Sequence, residues 1–107
     1  MTTDPAFLPV HELAAQIAAR RLSPVEVVEA CLARIEARDS KLHAFTEVYA
    51  EEARLAAEAA DKAIRAGHAV GPLHGVPIAI KDLVEIAGRI TTGGAAIWRE
   101  RLSLIHI

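Results

Sequence analysis

The seven residues Gly71-Pro72-Leu73-His74-Gly75-Val76-Pro77 constrain this chain more than any other stretch. Two prolines and two glycines in so short a run forbid a helix through it, because proline lacks a backbone donor and glycine leaves the backbone loose. The chain is thereby divided. Upstream, apolar residues recur every three or four positions; downstream, they come in short runs that read as strands. With 107 residues there is room for one small domain and no second.

Upstream, Leu13, Ala14, Ile17 and Ala18 make one amphipathic stripe over about Val10 to Arg21, with no good cap at its start. Ser23-Pro24-Val25-Glu26 then gives the clearest local signal. Ser23 can accept from the third helical amide, Pro24 fills the first turn, and Glu26 can reach back as the second half of a capping box. The predicted helix runs through Val27, Val28, Ala30, Cys31 and Ile35 and ends near Asp39-Ser40. Cys31, the single cysteine, cannot form an internal disulfide and reads as a small buried hydrophobe. Alternation from Leu42 to Tyr49 predicts an extended segment. From Ala50 a third helix follows, with Ala53, Ala56, Ala57, Ala60, Ala63 and Ile64 as its packing stripe and Gly67 as its C-terminal cap.

Downstream, Ile78-Ala79-Ile80 is apolar at every residue and reads as a buried central strand ending in Lys81-Asp82. Val84 to Ile86 and Gly88 to Thr92 read as a further short strand and a turn. The composition, 52% hydrophobic but only 4% aromatic, belongs to a globular, alanine-rich chain. A net charge of -2 offers no basic field to gather phosphates, so direct nucleic-acid binding is not expected. The start of the chain lacks the basic and apolar regions of a signal peptide, and no apolar run is long enough for a membrane span. A cytoplasmic location is the resulting expectation.

Among residues able to do chemistry, Lys81 stands out, because α/β folds place functional side chains at the ends of central strands. The same position also suits the first solvated residues after a strand, and the pattern alone favours that plainer reading. His11, His43, His68, His74 and His106 show no metal-ligand spacing, and His74 reads as a solvated loop residue. The glycines do not form a phosphate cradle ahead of a helix. No metal and no cofactor is expected.

The segment Gly71-Pro-Leu-His-Gly-Val-Pro-Ile-Ala-Ile-Lys-Asp, closing on Asp82, resembles a specific motif of the amidase-signature hydrolases, and Thr91-Thr92-Gly93-Gly94 fits its continuation. Upstream, Glu12-Leu13, Ser23-Pro24-Val25-Glu26-Val27-Val28, Leu42-His43-Ala44-Phe45 and Ala60-Asp61 are similar to the family's helical N-terminal region. The resemblance implies an α/β fold in the parent, a mixed sheet flanked by helices, of which this piece supplies three N-terminal helices and the first short strands. It also implies a Ser-cis-Ser-Lys triad in which Lys81 is the catalytic base, acting through a bridging serine on a nucleophilic serine. A lysine accepts a proton only when neutral, a state that near neutral pH takes roughly 4 to 5 kcal/mol of environmental bias. Burial would have to supply most of it, and the apolar run before Lys81 suggests a dry site.

The family's two serines lie in a glycine- and serine-rich segment well downstream of the lysine, whereas the serines here are Ser23, Ser40 and Ser103. The expectation is a single partial domain over 1–107, inactive by itself, marginally stable, and with residues 103–107 foreign to the family pattern. The expected substrate is a small carboxylic amide, and the expected partner is a second copy in a homodimer or the companion subunits of a tRNA-dependent amidotransferase. That amidotransferase's glutamine-hydrolysing component shares these motifs. The competing reading from another class is a non-catalytic helical module that binds a partner through the alanine stripe.

Overall fold

The computed structural model describes residues 4–98, 100, 102 and 103. The chain forms two compact units, Met1–Pro77 and Ile78–Ile107.

The first unit is built from three helices, α1 (Val10–Ala18), α2 (Pro24–Leu42) and α3 (Ala50–Arg65), preceded by a 3-10 turn at Pro5–Phe7. The capping box forms as read: the Ser23 hydroxyl accepts the Glu26 amide at 3.1 Å, and the Glu26 carboxylate accepts the Ser23 amide at 3.3 Å. Such a cap stabilises a helix start by about 1 kcal/mol. Helix α1 begins at Pro9 with no side-chain cap, so packing must hold it. Its Leu13 and Ile17 lie with Val27 of α2 in the core, covered by Leu8, Leu22, Ile64 and Val76. Ile17 and Val27 are withdrawn from water almost completely. Each such side chain stabilises the unit by about 1.5 to 3 kcal/mol relative to exposure.

Helices α1 and α3 close with the same hydrogen-bond pattern. The Gly67 and His68 amides donate to Ile64 and Ala63, and the Arg20 and Arg21 amides donate to Ile17 and Gln16. The left-handed residue is Gly67 in one and Arg20, φ 61°, in the other. A side chain in that conformation costs roughly 1 to 2 kcal/mol. Helix α1 therefore ends three residues before Arg21, where side-chain periodicity had carried it.

Helix α2 continues past Asp39-Ser40 to Leu42. Asp39 does not stop it; its Oδ1 accepts the amides of Ala44 and Phe45 at 2.8 and 3.1 Å and so caps the chain beyond the end. The residues after it, 43–49, are irregular rather than extended strand. Alternation suits a strand only where a neighbouring strand takes up the backbone groups, and here Asp39 takes two of them. Helix α3 packs on α2, and along its expected stripe Ala57 is buried and Ala53, Ala60, Ala63 and Ile64 are half-buried, whereas Ala56 is exposed. Arg54 of α3 donates to Glu29 of α2 at 2.6 Å, a half-exposed pair that solvent screens.

The loop Gly71–Pro77 is seated on the helices. The His74 Nε2–H donates to the Ala60 carbonyl at 2.9 Å, so His74 is half-buried and bonded rather than solvated as expected. Gly75 has φ +83°, and a Cβ there would lie 2.7 Å from Cγ of Pro24. Only glycine fits. Cys31 is half-buried rather than enclosed; it lines a groove with Phe7, Arg34, Arg38 and Phe45. Burial first, and the Asp4 charge second, push its thiol above the ordinary value.

In the second unit no described residue lies in a strand; the extended pairing is one antiparallel bridge, Ile90 opposite Leu102. The expected strand at Ile78–Ile80 is irregular, with Ile78 81% exposed. A buried central strand needs sheet neighbours and cover on both faces, and the described residues supply neither.

Candidate functional site

Lys81 opens a tight turn in which the Val84 amide donates to the Lys81 carbonyl at 3.0 Å. The residue after it is held from three directions. Oδ1 of Asp82 accepts the Thr92 amide at 2.9 Å, Oδ2 accepts the Thr92 hydroxyl, and the Asp82 carbonyl accepts the Gly93 amide at 2.9 Å. Thr92 Oγ1 in turn accepts the Gly94 amide at 3.1 Å. The Thr92 hydroxyl, then the Thr92 amide, and more weakly the Gly94 amide, hold the Asp82 carboxyl below the usual carboxylate range against an opposing effect of burial. Asp82 is thus an ionised acceptor at neutral pH with both oxygens engaged.

Among the described residues of this unit the buried polar ones are Thr91 and Ser103. Thr91 Oγ1 donates to the Val84 carbonyl at 3.4 Å. The Gly88 amide donates to the Ser103 carbonyl at 2.7 Å, and the Ser103 amide donates to the Arg89 carbonyl at 2.8 Å. The backbone of Ser103 is therefore part of the unit; residues 104–107 of the expected foreign tail lie outside the described residues.

Lys81 itself is exposed. Among the described residues no ion pair joins it. The dry surroundings expected from Ile78-Ala79-Ile80 are not formed by that segment, since Ile78 and Ile80 are 81% and 50% exposed. A three-residue run cannot bury itself or its neighbour without covering layers. The geometry does offer an amine on a fixed backbone, beside a carboxylate whose bonds run to Thr92 instead. The histidines do not converge: among the described residues no group of three His, Cys, Asp or Glu could hold a metal ion, and His106 lies outside them. The sequence motif contained both Asp82 and Thr92, but nothing in it joined them, because they stand ten positions apart in a stretch without periodicity.

The family model described as Amidase matches residues 26–105, most of the chain and all of the Lys81 to Gly94 turn. The chain belongs to the amidase family. It is 49% identical over 90 residues to the A subunit of glutamyl-tRNA(Gln) amidotransferase from Geobacter sulfurreducens and 43% identical over 88 residues to an amidase of Pseudomonas putida. Those alignments take in 84% and 82% of this chain but 18% and 19% of the relatives, so the chain spans about a fifth of their length. A bacterial aryl acylamidase of the amidase signature family superposes with a TM-score of 0.82 at 32% identity, over 94% of this chain and 22% of that one. A structure described as a vestigial protein complex bearing on the origins of an s-triazine catabolic enzyme superposes at 0.83 with 37% identity, over 89% of this chain and 21% of that one.

Proposed function

We propose that this chain is the segment of an amidohydrolase that carries the catalytic base, and that Lys81 is that base. The observation that carries the reading is the built turn around Lys81-Asp82, closed by Thr92, Gly93 and Gly94, at the place where the chain matches its family. In the parent, an α/β protein with a mixed sheet flanked by helices, neutral Lys81 takes a proton through a bridging serine from the nucleophilic serine. That serine's oxygen attacks the amide carbonyl, the carbon–nitrogen bond breaks, and the amine leaves with a proton. Water then attacks the acyl-enzyme and releases the carboxylic acid. The substrate class is a small carboxylic amide, and the expected location is cytoplasmic; among the described residues no helix is long and apolar enough to cross a membrane.

The 107 residues contain three serines, and none is placed for this work. Ser23 is committed to its cap, Ser40 lies in the last turns of α2, and Ser103 is buried. By itself the chain is therefore expected to be inactive. The sheet that would cover Ile78 and Ile80, and dry the surroundings of Lys81, belongs to the parent.

A second reading concerns the reaction's setting. The relative at 49% identity belongs to an amidotransferase, as does another at 48% from Streptomyces coelicolor. Under that reading the amide is glutamine and the ammonia passes to a companion protein. Purification from the native host separates the two settings: an amidotransferase component arrives with its companions, a free-standing amidase alone or as a homodimer.

The test of the base is a chimera in which residues 26–105 replace the matching segment of the Pseudomonas putida amidase. Ammonia release from a panel of carboxamides should persist in the chimera and fall by about 10²- to 10⁴-fold when Lys81 becomes alanine. Undiminished turnover in the Lys81→Ala chimera would rule Lys81 out. A parent chimera that melts like the intact amidase yet releases no ammonia would rule out the segment as a whole.

A further inference from the structure

We propose that Asp82 and Thr92 form a positioning pair for Lys81, fixing the backbone from which the lysine side chain departs and keeping the neighbouring carboxylate off its amine. The inference rests on the reading of Lys81 as the base.

Two features of the turn lead to it. Asp82 is bonded at three acceptor atoms, Oδ1, Oδ2 and its carbonyl oxygen, to the consecutive residues Thr92 and Gly93. The Lys81 carbonyl is held as well, by the Val84 amide. With its own carbonyl and the next residue both tied, the Lys81 Cα has little freedom to rotate, and its Cβ direction is set by a turn of about a dozen residues rather than by burial. Reaction rates respond sharply to such placement: a displacement of about 1 Å can cost on the order of 100-fold.

The second feature is electrostatic. Aspartate directly after a lysine base is a hazard, because a carboxylate in contact with the amine favours the ammonium, the form that cannot accept a proton. Thr92 removes the hazard by supplying two donors, one to each carboxylate oxygen. The threonine hydroxyl is itself oriented, since it accepts the Gly94 amide while donating to Asp82. Asp82 and Thr92 touch no reacting atom in this scheme; they act through Lys81.

The chimera described above tests the pair. Thr92→Val keeps the shape and the amide but removes the hydroxyl donor; Asp82→Asn keeps the shape but leaves one oxygen site replaced by an amino group facing a donor. Each should lower kcat, per mole of folded enzyme, by about 10- to 100-fold with KM changed less than about twofold. Thr92→Ser, which keeps both donors, should recover most of the rate lost in Thr92→Val. If Thr92→Val and Asp82→Asn retain full kcat, if the loss merely follows the folded fraction, or if Thr92→Ser falls as far as Thr92→Val, the pair does not position the base. Lys81→Ala keeps the two ideas apart. An active Lys81→Ala chimera defeats the reading of the base, whereas an inactive one beside fully active Thr92 and Asp82 variants defeats the pair alone.

Discussion

In Met1–Pro77 the side chains of Leu13, Ile17 and Val27 are withdrawn from water, whereas in Ile78–Ile107 the residues Ile78, Leu83 and Ile97 stay exposed and, among the described residues, the buried groups are Thr91 and Ser103. The first unit is held by apolar packing between helices, with both ends of α2 capped by side chains. The second is held by hydrogen bonds from backbone amides and two threonines to a carboxylate and to carbonyls. The contrast separates two tasks. Packing is non-directional and tolerates small shifts, which suits a scaffold. Hydrogen-bonded turns fix direction, which is what a reactive side chain requires.

The contrast is most open to attack at Gly75. Alanine there adds both a clash with Pro24 and a strained left-handed conformation, and should destabilise the helical unit by about 3 kcal/mol in denaturant titration. Val27→Ala removes two methyl groups from a fully buried site, with an expected loss of about 2 kcal/mol. Ser23→Ala should cost about 1 kcal/mol through the cap. Arg20→Gly should work in the other direction, raising stability by about 1 kcal/mol as it relieves the strain that Gly67 avoids at the equivalent helix end. In all four, amide exchange at Thr92 and Gly93 should stay at its original rate; if it accelerates in step with helix loss, the two units are not held by separate interactions.

The smallest effect is expected from acid, and it should reverse the pattern. The Asp82 carboxyl titrates below its unfolded value, so its contribution is fully present above the ordinary aspartate range. It is lost as pH falls through the lowered folded value. Protection of the Thr92 amide should decline in that window. Asp82→Asn should abolish the pH dependence, and persistence of the same titration in that variant would assign it to another group.

Much of the helical unit could be read directly. Ser23-Pro24-Val25-Glu26 encodes its cap within four residues, and the spacing of Leu13, Ile17, Val27 and Ile64 marks the core face, because both signals act over a turn or two of helix. Where reading failed, a partner outside the helical repeat intervened. Asp39 suggested a helix end by its residue type but instead caps Ala44 and Phe45. His74 looked solvated until α3 supplied the Ala60 carbonyl. The run Ile78-Ala79-Ile80 resembled a strand by composition, yet strand formation depends on neighbours that composition does not contain.

Three helices, the break at Gly71–Pro77 and, through a motif matched residue by residue, the family and the lysine at its centre were all written in the amino-acid order. Those are local or directly encoded properties. It took the folded chain to show that Asp82 is bonded to Thr92, that Gly75 must be glycine because Pro24 lies against it, and that Lys81 stands exposed on a hydrogen-bonded turn. Each depends on residues far apart in the chain being brought within bonding or contact distance, and chain closure over such separations leaves no periodic trace in the sequence.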